Sequence, residues 1–324
     1  MKPQIQLLFA AIFFLASCGN SGNKDPENAN SYKQLESNIA KVNELISSAQ
    51  NYLDAGQHKL ALAEIEKAHL IDTTDLNIIL KLGDLYWNQN EYGSAIETYT
   101  KAVRIDNQNP KVWVKMGKCF YQKGDLESAM KYLNNGLKIK PDLGEGYFWK
   151  AYIYHEQGNS EKAISNMQTA VQNDPNLHEG YIKLGHWMTN TENPLAIDYF
   201  SAALKIDSNN AVAWQGRGNF YHLYQQNYEQ ARKDYNRALS LDSNHQQTLY
   251  NLATLEYETG QFKEAEKRYL QLTRLNETST NALLGLGLTY KALDKKRKAK
   301  KAFKQILEIN PNDANALQEL GNLK

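Results

Sequence analysis

Between Pro110 and Leu143 the apolar positions describe two short amphipathic helices around the turn Gln122-Lys123-Gly124-Asp125. Trp113, Met116, Gly117 and Phe120 fall at i, i+3, i+4 and i+7, which is one face of a helix. Ala129, Leu133 and Gly136 repeat that spacing in the second segment. The small residues Gly117 and Ala129 predict a close crossing of the two backbones. Neither helix buries its apolar stripe alone, so the pattern predicts a unit stacked on copies of itself.

The copies are present. The same pattern starts at 42, 76, 110, 144, 178, 211, 246 and 280, which divides 42–313 into 42–75, 76–109, 110–143, 144–177, 178–210, 211–245, 246–279 and 280–313. The second small position is Ala in every copy: Ala61, Ala95, Ala129, Ala163, Ala196, Ala231, Ala265 and Ala299. The first is Ala49, Gly83, Gly117, Ala151, Gly185, Gly218, Ala253 and Gly287. A large residue closes the first helix as Tyr52, Tyr86, Phe120, Tyr154, Met188, Tyr221 and Tyr290; the seventh copy departs, with Glu256 there and Tyr257 beside it. Pro141, Pro175 and Pro311 end three of the copies.

A large residue, a Leu-Gly-like step, Tyr, Ala, a large apolar residue, a second Ala and Pro at this period resemble the tetratricopeptide (TPR) repeat. The resemblance implies an all-α solenoid, a right-handed superhelix of helix-turn-helix units. Leu35, Ile39, Val42, Leu45 and Ile46 predict an entry helix over 31–41 that runs into the first unit, and 314–324 predict a lone capping helix, with Leu317, Leu320 and Gly321 in register.

The N-terminus has a different character. Residues 1–17 carry one Lys and then an apolar run from Leu7 to Ala16, too short for a membrane span and of signal-peptide proportions. Leu15-Ala16-Ser17-Cys18 resembles the bacterial lipobox, which implies that Cys18 is lipidated and heads the mature chain. Residues 18–30, small and polar, predict a flexible tether, and Lys24-Asp25-Pro26-Glu27 faintly resembles a surface-export signal. Cys119 is then left without a partner for a disulfide and reads as a packing residue. The location this implies is the bacterial cell envelope, with a lipid anchor in the outer membrane.

Net charge is +1, which gives no bulk case for nucleic acid. Once the repeats, tether and cap are assigned, no catalytic domain remains; nor is there a phosphate loop, a HExxH or a Cys pair at metal spacing. The chain reads as a non-enzyme without a cofactor. Function then rests on the surface that the resemblance assigns to a concave groove lined by first helices. Its residues are Trp87, Lys111, Lys115, Lys118, Tyr121, Phe148, Trp149, Tyr152, His155, Lys183 and His186, with Glu156, Glu179, Asn219, His222, Tyr250, Asn251 and Tyr257 at equivalent positions. Trp113, Trp214 and Trp187 read as packing residues.

Aromatic rings beside a lysine row suit an extended peptide or a helix from a partner protein. The carboxylate clamp of chaperone-binding TPRs is not expected, because no fifth position is Lys: they are Ile46, Leu80, Val114, Phe148, Ile182, Gln215, Tyr250 and Leu284. His155, His186 and His222 sit on successive units, and convergence on one metal ion is not expected. Two alternatives stay open. The groove is also suited to a glycan or anionic polymer, and the stretch Lys295-Lys296-Arg297-Lys298-Ala299-Lys300-Lys301 is either a solvated face or an anionic contact.

Overall fold

The structure is a computed structural model and describes residues 26–323. The expected signal sequence at 1–17, Cys18 and the start of the expected tether lie outside these residues. Among the described residues there are 17 helices and no strand. No helix among them is long and apolar enough to cross a membrane.

The chain divides into two compact units, Met1–Ile139 and Lys140–Lys324. The first holds three helix pairs: α1 (Pro26–Asp54) with α2 (His58–Ile71), α3 (Leu76–Asn88) with α4 (Tyr92–Ile105), and α5 (Pro110–Gln122) with α6 (Leu126–Ile139). The second holds five pairs: α7 (Gly144–Glu156) with α8 (Ser160–Asn173), α9 (His178–Asn190) with α10 (Leu195–Ile206), α11 (Ala211–Leu223) with α12 (Tyr228–Leu241), α13 (Gln246–Glu258) with α14 (Phe262–Leu275), and α15 (Thr280–Ala292) with α16 (Lys296–Ile309). The short α17 (Ala314–Asn322) follows. Within each unit every first helix packs on its own second helix, and every second helix packs on the next first helix. In the second unit α9, α11, α13 and α15 also touch in succession, so first helices share one side.

Local chemistry explains the regular pairs. Each turn inside a pair passes through a left-handed residue: Gly56, Asn90, Gly124, Gly158, Glu192, Gln226, Gly260 and Asp294. Where glycine is absent, Asn and Asp are the side chains that tolerate this region best; Glu192 and Gln226 hold it at greater backbone cost. Each pair but the third ends on an Asp or Asn: Asp72, Asp106, Asp174, Asp207, Asp242, Asn276 and Asn310 each accept a hydrogen bond from the backbone N–H two residues on. That Asx turn halts the helix and redirects the chain. Asp75, Asn109, Asn210, Ser279 and Asp313 then cap the following first helices with side-chain oxygens.

The eight alanines of the second small position are 0–1% exposed. At Gly83 an added Cβ would lie 2.4 Å from the Tyr99 ring, so the crossing leaves no room for a methyl group. At Gly117 it would meet the Leu133 side chain at 2.7 Å. Cys119 is buried among Val112, Met116 and Tyr99, and burial pushes its thiol up to about 12, which makes it a packing group rather than a nucleophile.

Three elements differ from expectation. The first helix begins at Pro26, inside the segment read as tether, because Pro suits the first helical turn. On its leading part Tyr32, Leu35 and Ile39 are exposed, while Leu45 and Ala49 are buried against α2 and α3. In α17, Ala316 is buried and Leu320 packs on the last core cluster, yet Leu317 is 50% exposed, since no second helix follows among the described residues. Glu256 occupies the large-residue position of the seventh pair and is 4% exposed, with the Tyr257 ring diverted onto Phe262 at 5.4 Å.

Candidate functional site

In the first unit, α3 and α5 present Trp87, Lys111, Lys115, Lys118 and Tyr121 from the first-helix side. The lysines do not form a uniform row. Lys115 pairs with Asp84, which also accepts a 2.5 Å hydrogen bond from the Tyr99 hydroxyl. Lys118 lies over the Trp87 ring at 4.2 Å, and Trp87 in turn contacts Tyr92 at 5.1 Å. Of the three, Lys111 alone is exposed rather than half-buried. The positive charge read from the sequence is therefore partly neutralised and partly spent on an aromatic face.

In the second unit, α7 and α9 build a denser cluster. Phe148 is 6% exposed and packs beneath its neighbours, 5.4 Å from Trp149 and 4.9 Å from Tyr152. It supports the surface from below and offers no face to a partner, which corrects its place among the groove residues. Trp149 and Tyr152 are half-buried and 5.7 Å apart. The Tyr152 hydroxyl donates to Glu179 at 3.0 Å, and the Lys183 ammonium stands 5.5 Å from the Tyr152 ring. His155 is exposed and stacks on Trp187 with 5.0 Å between centroids and 12° between planes. Trp187 also meets Tyr152 edge-on at 6.5 Å.

Trp187, assigned to packing from its place in the repeat, is thus half-buried and joins the two helices' aromatic residues. The signal was its four-residue spacing from Lys183, which puts both on one face of α9. His186 is half-buried: its ring meets Phe200 edge-on at 5.1 Å, and burial lowers its pKa.

Further along the second unit the polar positions are engaged. His222, expected on the open side, is buried; it bonds Glu258 at 2.9 Å and the Tyr235 hydroxyl at 3.3 Å. Tyr235 and the Asn251 amide both reach Asn219. Arg217, which the sequence did not single out, grips Asp234 with two hydrogen bonds of 2.8 and 2.9 Å and stacks on Trp214. With His222 turned inward, the three histidines do not converge. Among the described residues no group of three or more His, Cys, Asp or Glu is placed to hold a metal ion.

Comparison with known proteins identifies the repeat. Models described as TPR repeat match residues 83–124 and 117–158, and models described as tetratricopeptide repeat match 144–177, 222–279 and 280–313. No curated protein matches the sequence. Among solved structures, the C-terminal part of a TPR repeat-containing protein from Cytophaga hutchinsonii is 21% identical, with TM-score 0.61, over 74% of this chain and 99% of that one. Pseudomonas aeruginosa PilF is 16% identical, with TM-score 0.56, over 67% of this chain and 98% of its own. PilW, a widely conserved type IV pilus biogenesis factor, is 19% identical, with TM-score 0.54, over 65% of this chain and 98% of its own. At these identities the likeness is one of fold.

Proposed function

Because the chain carries tetratricopeptide repeats over 83–177 and 222–313, we propose that it is a scaffold that holds partner proteins through its first-helix surface. The observation that carries this reading is the cluster of Trp149, Tyr152, Trp187 and His155 with Lys183 and Glu179 at its edge. Half-buried aromatic groups on a floor fixed by Phe148 are the composition of an interface hot spot, where few residues supply most of the affinity. Helices on both sides hold the rings, so little side-chain entropy is lost on docking. The ammonium and carboxylate at the rim fix the direction of an extended segment.

The reading assigns no reaction and no cofactor. It places the scaffold in a bacterial envelope, tethered by lipid on Cys18, which would confine captured partners to a membrane surface and raise their effective concentration. The support for that part is the apolar run 7–16 and the residues before Cys18. Replacing Cys18 with Ser should move the protein from the membrane to the soluble fraction; retention would remove the anchor from the proposal.

The test of the surface is photocrosslinking in intact cells with a benzoylphenylalanine at Tyr152 and, as control, at the exposed Glu161. A discrete protein adduct at position 152 alone supports the reading and gives the partner's mass. Trp187→Ala should lower its yield about tenfold or more, in line with a hot-spot loss. Equal adducts at both positions, or no effect of Trp187→Ala, would overturn it.

A further inference from the structure

A second surface lies on α16, apart from the aromatic cluster. The segment from Lys295 to Lys304 holds seven cations among ten residues. Two share one carboxylate: Lys295 pairs with Glu266, and Lys298 stands 3.9 Å from the same group while also lying over the Tyr290 ring. The other five, Lys296, Arg297, Lys300, Lys301 and Lys304, are exposed and make no ion pair among the described residues. Ala299, Ala302, Phe303 and Ile306 take the buried stripe, which leaves the cations on the opposite side.

Their spacing is regular. Lys296, Lys300 and Lys304 follow one another at four-residue steps of about 6 Å, and Arg297 and Lys301 form a parallel row. Like charges three and four apart repel and oppose the helix they sit on. A solvated face would be equally soluble with alternating signs. The first turn of α16 also lacks a side-chain cap, so its backbone N–H groups add to the positive potential.

The chemistry of the face selects its partner. It contains no aromatic ring for stacking a base, and one Arg among its five free cations, so bidentate phosphate recognition is sparse. It offers no apolar side chain to insert into a lipid interface or to form the core of a protein contact, where Lys is depleted. What remains is a row of point charges carried about one helical turn apart, which complements the charge of a linear polyanion.

We propose that the exposed cationic face of α16 binds a linear acidic polysaccharide, with Lys296, Lys300 and Lys304 contacting its carboxylates and Arg297 and Lys301 flanking them. The contact is Coulombic and reversible, and it is independent of the aromatic cluster.

The experiment measures retention of the full chain on polygalacturonate-coated beads against neutral dextran, with double-stranded DNA and phosphatidylglycerol vesicles as competing probes. The expected result is retention by polygalacturonate at low ionic strength that weakens about tenfold or more toward physiological salt. Lys300→Glu with Lys301→Glu should lower it by about a further tenfold at an unchanged thermal midpoint, while Lys300→Arg with Lys301→Arg should keep it. Retention unchanged by the charge reversal, or found only on DNA or only on vesicles, would overturn the proposal.

Discussion

Glu256 shows how one residue departs from the repeat and what the departure costs. Seven pairs place Tyr, Phe or Met where this carboxylate sits. The fold buries it regardless, with Arg268 Nε at 3.8 Å and no hydrogen-bond partner for Oε2 among the described residues. Burial pushes its carboxyl up to about 7, against the pull of Arg268 and Arg232; Glu264 and Lys267 act more weakly. The folded chain therefore keeps a proton between about pH 4.5 and 7 that the unfolded chain has already released. Stability should fall as pH rises through this window and level off above it, by about 3 kcal/mol at most. Glu256→Gln should flatten that fall, and Glu256→Tyr should raise the urea midpoint at pH 7.5. Parallel pH profiles for the parent and Glu256→Gln chains would show that Glu256 is not the titrating group.

At the scale of elements, the repeat was legible because small and apolar positions recur at fixed intervals, and helices read that way directly. Gly117 and Ala129 predict a close crossing, and the Leu133 side chain 2.7 Å from the missing Cβ of Gly117 is the physical reason, as the Tyr99 ring at 2.4 Å is for the equivalent Gly83. What the period could not show was how a position behaves where the repeated environment ends. Leu317 has the register of a core residue, but among the described residues no second helix covers it as it covers its counterparts; Leu320, one turn on, still meets the last cluster. Leu320→Ala should thus cost about 1–2 kcal/mol, and Leu317→Ala no more than about 0.5 kcal/mol, in chemical denaturation. Equal costs would mean that α17 packs in another register. Candidate-site residues were harder to read for a related reason. Repeat position gives the side of the helix, but whether His222 turns in toward Tyr235 or Trp187 turns out toward His155 depends on neighbours in adjacent helices.

For the molecule as a whole, a net charge of +1 conceals a division of labour. Cations near the aromatic surfaces are largely engaged, Lys115 with Asp84, Lys118 with Trp87 and Lys183 beside Tyr152, whereas Lys296, Arg297, Lys300, Lys301 and Lys304 of α16 make no ion pair among the described residues. The aromatic cluster of α7 and α9 and the cationic face of α16 share no residue, and the helices packed on α16, α15 and α17, are not among those packed on α7 or α9. Substitutions in such separate sites should act additively, within about 0.5 kcal/mol. Trp187→Ala should reduce the protein adduct at position 152 and leave polygalacturonate retention unchanged. The Lys300→Glu, Lys301→Glu pair should do the reverse, and the combined variant should lose each property by the same factor as its parent. If charge reversal on α16 also lowered the adduct at position 152, one partner would have to span both surfaces, and the two sites would be parts of one extended interface.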